Sequence, residues 1–214
     1  MVINLLGPEG EKGSELFDAL ERMMVEGLSE EEIEERIYRL FGRTLALVVV
    51  DTCGFTRTTR SRGIVGFLTG LLRVRKMVSS AFRDYGCVSL RYEADNVYSE
   101  FETADSALRA TVRANEEVRR AKVALDGEER FRICAGIGYG RVLWSAEDGA
   151  FGDQMNLASK LGEDVASGEE ILLTEAALAQ LPEELSSEFE RISATVSGVD
   201  LVYYGTFLRR TGRC

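Results

Sequence analysis

The chain contains no histidine, which removes Ser-His-Asp and Cys-His nucleophilic catalysis and every His-ligated metal centre. Its chemistry falls to carboxylates, Lys, Arg, Tyr, hydroxyls and hard cations. Basic residues are in deficit: 26 Lys and Arg against 36 Asp and Glu give a net charge of -10. A DNA or RNA surface needs the opposite, a concentrated basic field, so no nucleic-acid partner is expected. An anionic small ligand stays admissible if metal ions and a few local cations offset the repulsion. The longest apolar run, Leu45 to Val50, is far too short to span a bilayer. Met1 to Leu6 has no basic flank and no cleavage signal, so no membrane insertion is expected and a cytoplasmic location is the simplest reading. The four cysteines, Cys53, Cys87, Cys134 and Cys214, form no CxxC pair, which points away from a zinc cluster and towards buried free thiols.

What is present is an ordinary globular composition: 45% hydrophobic, 29% charged and 2 prolines in 214 residues, enough for one large domain with a substantial core. Residues 1–13 are rich in Gly and charge and read as a loose terminus. Helical spacing of apolar residues from Ser14 to Phe41 predicts two helices, the second capped by Ser29-Glu30-Glu31-Glu32. Residues 1–43 are accordingly read as a helical extension for packing or dimerisation, and 44–214 as the main domain. A strand ending at Asp51 is followed by a long amphipathic segment with Ile64, Phe67, Leu68, Leu71, Leu72, Val74, Val78, Ala81 and Phe82 inward. A hairpin centred on Glu93 to Asn96 and a helix from Ala104 to about Lys122 come next, the helix with Ala107, Leu108, Thr111, Val112 and Val118 inward. Phe131 to Trp144 reads as strand interrupted by Gly136, Gly138 and Gly140. Asp153 to Ala166 reads as helix, Glu170 to Thr174 as a buried strand, Ala176 to Gln180 as a short helix, and Phe189 to Leu208 as edge strands. This order predicts an α/β (α+β) domain: a ferredoxin-like mixed sheet with helices packed on one face.

Two aspartates carry the chemical argument. Asp51 closes the strand Leu45 to Val50, and Asp95 sits in the hairpin between the runs Val88 to Tyr92 and Val97 to Phe101. Alone, the first reads as a helix cap and the second as a turn residue. Together, carboxylates at two neighbouring strand ends can hold divalent cations against a polyphosphate, which indicates nucleotide chemistry.

The motifs around them resemble those of the class III nucleotidyl cyclases, the adenylate and guanylate cyclase catalytic domain. Val50-Asp51-Thr52-Cys53-Gly54-Phe55-Thr56 is similar to the family's first metal-binding motif, and Ala94-Asp95-Asn96 to its Gly-Asp hairpin. Gly136 to Arg141 resembles its glycine-bearing central strand. Phe151-Gly152-Asp153-Gln154-Met155-Asn156-Leu157-Ala158-Ser159-Lys160-Leu161 resembles its Asn-bearing helix, and Glu169 to Glu175 the strand that follows. The resemblance covers about Thr44 to Leu208. It implies that Asp51 and Asp95 hold two Mg2+ or Mn2+ ions, and that turn amides from Thr52 through Cys53, Gly54 and Phe55 to Thr56 cradle the phosphates of a nucleoside triphosphate. It further implies a head-to-tail homodimer with composite sites.

Several positions depart from the family. Its Asn positions the ribose and an Arg four residues later stabilises the α-phosphate; here these are Asn156 and Lys160, and lysine lacks the planar bidentate fork. Lys160 is read either as catalytic or as a surface lysine. Arg141 is read either as a triphosphate contact or as a solvated strand-end arginine. The family's late lysine is replaced by Val196-Ser197-Gly198-Val199. At the base-selecting positions stand Arg91 and Gly149, with Asp148 adjacent. Arg91 opposes guanine, whose ring N1 and amine are donors. Adenine therefore leads, with Asp148 accepting from its amino group, and a pyrimidine nucleotide is the alternative. Two functions stay open: a cyclase making cyclic AMP from ATP in intracellular signalling, and a catalytically weak cyclase-homology domain that binds nucleotide and regulates by dimerising.

Overall fold

A computed structural model describes residues 15–53, 55–125, 129–196 and 198–206, with side chains omitted for 55–62 and 199. Among the described residues eight strands, β1 (Gly42–Thr52), β2 (Ser89–Glu93), β3 (Asn96–Phe101), β4 (Ile133–Ser145), β5 (Gly149–Phe151), β6 (Ile171–Thr174), β7 (Phe189–Val196) and β8 (Val199–Thr206), form one mixed sheet in the order β2-β3-β1-β4-β6-β8-β7, with β5 paired to β4. Strands β1, β2, β3 and β4 stand as β4-β1-β3-β2, the ferredoxin-like order. Among the described strand pairs only β4 and β6 run parallel; the remaining pairs are antiparallel. The last hairpin is β7 with β8. Of these two expected edge strands only β7 is an edge, because β8 pairs with β6 as well.

Strand β1 is covered on both faces, which is why Leu45 to Val50 reads as an unbroken apolar run rather than an alternation. Ala46, Val48 and Val50 face a core built with α3 (Phe55–Asp84) and α4 (Ala104–Ala121). Leu45, Leu47 and Val49 face the opposite side, against Met155 and Ala158 of α5 (Asp153–Ser159). The expectation of helices on one face therefore holds for α3 and α4 but not for α5. Short helices α6 (Glu175–Leu178) and α7 (Glu183–Ser186) fill the segment before β7, the second not anticipated.

The amphipathic segment is one kinked helix, broken at Gly63 with φ of 73°. Phe67, Leu71, Val74, Val78, Ala81 and Phe82 are buried as expected, whereas Ile64, Leu68 and Leu72 are half exposed. Those three recur every fourth residue on a separate ridge of the helix, beside the buried stripe. Val112 of α4 is likewise exposed.

At the amino-terminal side, α1 (Glu15–Val25) and α2 (Glu30–Phe41) form a hairpin. The Ser29 side chain accepts from the Glu32 N–H while the Glu32 carboxylate takes the Ser29 N–H, a complete capping box. The hairpin buries Leu16, Ala19, Met23 and Ile37 against Leu143 of β4, and Phe17 meets Phe151 of β5 (Gly149–Phe151) edge to face.

The glycines of β4 do not interrupt it. Gly136 and Gly138 admit a helix backbone at contact distance, and Gly140 admits the Gln154 side chain. A Cβ at Gly136 would stand 2.1 Å from the Ala158 carbonyl oxygen and 2.6 Å from the Gly162 nitrogen, and one at Gly138 2.4 Å from the Gln154 carbonyl oxygen. Beyond Ser159 the helix widens into a π-helical stretch, Lys160–Val165. Its Gly162 lies so close to β1 that a Cβ there would sit 2.5 Å from the Val49 carbonyl oxygen.

Candidate active site

Asp51 is the penultimate residue of β1, on the face that α5 and the π-helical stretch cover. One position earlier, Val50 pairs with Val97 of β3, which brings the β2–β3 turn alongside. Asp95 in that turn accepts a hydrogen bond from the Thr52 hydroxyl at 3.1 Å. Burial and then the Asp95 charge push the Asp51 carboxyl up to about 6, with a smaller push from Glu163. The two carboxylates are thus electrostatic neighbours held at adjacent strand ends.

The turn that presents Asp95 is held in a conformation L-residues seldom adopt: Ala94 has φ of 47°. Arg75 of α3 donates to the Ala94 carbonyl and stacks on the Tyr92 ring at 4.6 Å, while Ser79 bonds the Tyr92 hydroxyl. These two α3 residues anchor the hairpin tip. Sequence reading missed them, since a polar residue on an amphipathic helix has no signature of what it reaches.

A third carboxylate also escaped the sequence. Glu163, on the π-helical stretch, accepts from the Tyr98 hydroxyl at 3.0 Å. Burial raises its carboxyl, and among the charges that raise it further is Asp95. No periodicity argument could have placed it there, because a π-helical turn rotates residues away from 3.6-residue spacing.

Arg91 and Asp148 meet, though not through the Asp148 carboxylate. Arg91 donates to the Asp148 carbonyl oxygen at 3.1 Å and pairs at 3.4 Å with Glu100, whose side chain is 1% exposed. The Asp148 carboxylate instead accepts from Ser145 at 2.7 Å. Gly149 makes room for this arrangement, because a Cβ there would stand 1.8 Å from an Arg91 nitrogen.

Asn156 is exposed on α5. Lys160 begins the π-helical stretch and forms an ion pair with Asp164. The Lys160 N–H still bonds the Asn156 carbonyl, so the two residues keep the four-residue turn expected of them. Arg141 lies elsewhere. It pairs with Thr44, whereas Asp51 pairs with Cys134, a separation of roughly 24 Å along the strand at about 3.4 Å per residue. Its exposed guanidinium stacks over Tyr38 of α2 at 4.5 Å. Within one chain, Arg141 and Asp51 are not brought together.

Thr52 is buried and Cys53 half-buried just beyond it. The Cys53 sulfur stands 3.8 Å from that of Cys134, and the contact with Cys134 lowers the Cys53 thiol while raising its partner. Gly54 and the side chains of Phe55 and Thr56 lie outside the described residues. Among the described residues, no three Cys, Asp or Glu side chains form a group that could hold a metal ion by themselves, and no helix is long and apolar enough to cross a membrane.

Solved structures supply the comparison. An adenylate/guanylate cyclase/hydrolase from Silicibacter pomeroyi superposes with a TM-score of 0.66 at 19% identity, covering 77% of this chain and 96% of that one. The fold is that of an adenylate/guanylate cyclase catalytic domain. The adenylyl cyclase CyaB from P. aeruginosa gives a TM-score of 0.63 at 18% identity, with 79% and 96% of the two chains covered. The catalytic core of a rhodopsin-guanylyl cyclase with converted specificity, in complex with ATPalphaS, gives 0.64 at 15% identity over 77% and 97%. No protein-family model and no curated protein matches the sequence. The cyclase fold is therefore shared at an identity below a fifth.

Proposed function

We propose that the protein is a nucleotidyl cyclase that converts a nucleoside triphosphate, ATP first, to the 3′,5′-cyclic nucleotide and pyrophosphate. The observation that carries this reading is the Asp51–Asp95 pair at neighbouring strand ends, with Asp51 raised to about 6 by burial and by its neighbour. Two oxygen donors that repel each other suit hard divalent cations such as Mg2+ or Mn2+. Bound there, two cations would ease deprotonation of the ribose hydroxyl and offset charge on the triphosphate. Asp51 and Asp95 would hold them, and Thr52 fixes one Asp95 oxygen. Asn156 would orient the ribose and Lys160 would bring positive charge to the α-phosphate, both from the partner copy of a homodimer. Arg91, with Asp148 and its loop, would line the base pocket; adenine fits an arginine-bearing wall better than guanine does.

One observation favours the second reading, a weakly active nucleotide-binding module: Lys160 is already neutralised by Asp164. Incubation with each ribonucleoside triphosphate plus Mn2+, with products resolved by mass, separates the two. The expected result is a cyclic product, from ATP before the pyrimidine nucleotides. Mixing Asp51→Asn with Asn156→Ala chains should restore turnover that each lacks, because one composite site in a mixed pair keeps both halves. Nucleotide binding without any cyclic product would overturn the enzyme reading in favour of the module.

A further inference from the structure

Two thiols meet beside the acidic pair, and neither has a part in the chemistry above that needs the other. The β1–β4 pairing sets Asp51 opposite Cys134, and the Cys53 N–H continues the ladder by donating to the Arg132 carbonyl at 3.0 Å. Cys53 and Cys134 are therefore diagonal neighbours on the face that carries Asp51. Their sulfurs stand 3.8 Å apart, in van der Waals contact. Cys134 is 1% exposed; its sulfur also lies 3.5 Å from the Gly162 carbonyl and 3.9 Å from the Asp51 carbonyl. Cys53 is half-buried, directly after the last residue of β1. It can turn its side chain without breaking a strand pair.

We propose that Cys53 and Cys134 form a reversible disulfide when the protein meets a hydroperoxide, so that this pair is an oxidation site coupled to Asp51. The half-buried Cys53 sulfur attacks one peroxide oxygen, the O–O bond breaks, and the departing oxygen takes the thiol proton to leave as water, or as the alcohol when the oxidant is an organic hydroperoxide. Cys53 is now a sulfenic acid. The Cys134 sulfur attacks the Cys53 sulfur, the S–O bond breaks, and the hydroxyl leaves with the Cys134 proton as a second water. Two thiols have lost two electrons and one peroxide has gained them. The sulfurs close from contact to the roughly 2 Å of a covalent bond, and because diagonal neighbours lie about 7–8 Å apart, Cys53, just past the last residue of β1, shifts its backbone as well as its side chain. The bridge removes the Cys134 thiol from the Asp51 carbonyl and draws Cys53 towards β4, which disturbs Thr52 and its hold on Asp95.

The test treats the reduced, purified chain with hydrogen peroxide, alkylates remaining thiols, digests and identifies linked peptides by mass. A Cys53–Cys134 peptide, lost on treatment with dithiothreitol and absent from both Cys53→Ser and Cys134→Ser, is the expected result. Cys87→Ser should form the bridge unchanged. Cys53 recovered only as sulfenic or sulfinic acid, or joined to Cys87 or Cys214, would overturn the assignment. Mn2+ affinity, read from the spin-resonance signal of the free ion, should fall several-fold on oxidation of the wild type and be restored by the reductant. Equal affinity in the bridged and reduced forms would overturn the coupling to Asp51. The bridge stands on sulfur geometry and the coupling on the metal reading, so a reduced protein that binds no Mn2+ yet forms the linked peptide refutes the latter alone.

Discussion

Asp51→Asn should make the metal-free protein more stable while destroying its metal response. Asparagine keeps the shape of the side chain and an acceptor for the Thr52 N–H, and removes only the charge. Burial and Asp95 lift the Asp51 carboxyl from 3.8 to about 6, which at about 1.4 kcal/mol per tenfold sets a ceiling of about 3 kcal/mol on the destabilisation. Because Asp51 is only partly buried, solvent screening reduces that ceiling to about 1 kcal/mol. The sign follows from proton counting. A raised carboxyl contributes its stability fully below the unfolded value and loses it as pH climbs through the folded value. Wild-type stability therefore falls between about pH 4 and about pH 6, the interval that the rise of Asp51 spans, and the asparagine variant lacks that part of the fall. At pH 8 with chelator present, the variant should melt about 2–4 °C higher, the shift that about 1 kcal/mol gives in a chain of this size.

Mn2+ is expected to reverse the order. If the acidic pair holds the ion as proposed, Mn2+ at tenfold excess over its dissociation constant should add about 1.4 kcal/mol to the wild type, by mass action on the folded state alone, and nothing to the variant. Differential scanning calorimetry at pH 8, with and without Mn2+, reads both effects. A variant that melts below wild type in chelator, or that keeps the Mn2+ shift, would show that Asp51 is an ordinary structural carboxylate.

Gly136→Ala should cost at least 1–3 kcal/mol, the usual range for overpacking, because the added carbon meets the Ala158 carbonyl and the Gly162 nitrogen, and backbone atoms cannot step aside. Urea unfolding reads the loss, and a change within about 0.5 kcal/mol, the scale of a neutral surface substitution, would refute the close seating of α5 on β4. Arg91→Met strips the cation from Glu100, whose side chain is 1% exposed. Full burial of both partners would make that cost about 3–5 kcal/mol; with the Arg91 side chain 32% exposed, about 2 kcal/mol is expected after screening. Arg91→Lys should recover part of it, and an unchanged urea midpoint in Arg91→Met would refute the pair.

The sheet was legible in the sequence because its signals are local. Leu45 to Val50 announces a strand covered on both faces, the Ser29 box announces the start of α2, and the order of elements announces the ferredoxin-like arrangement. What was not legible depends on partners far along the chain. Ile64, Leu68 and Leu72 have the spacing of a buried face, yet α3 has room for one apolar stripe against the sheet and buries the one led by Phe67 and Leu71. The glycines of β4 look like interruptions in one dimension and are contact points in three. The acidic pair was visible because one aspartate stands at the end of a strand and the other in the turn of a neighbouring hairpin, whereas Arg75, Ser79 and Glu163 reach the same place from helices. Their identities as polar residues carry no address.

The geometry of β4 bears on assembly more directly than resemblance does. Asp51 and Arg141 sit on one antiparallel pair, at the rungs Asp51–Cys134 and Thr44–Arg141, and a central strand of a twisted sheet cannot fold back to shorten the roughly 24 Å between them. No arginine side chain spans that distance, so if both serve one triphosphate they belong to different chains. Tyr38 stacks on the Arg141 guanidinium, which ties the availability of that cation to the seating of the amino-terminal hairpin. If a partner copy uses Arg141, the amino-terminal hairpin lies on that half of the site, because Tyr38 of α2 covers its guanidinium.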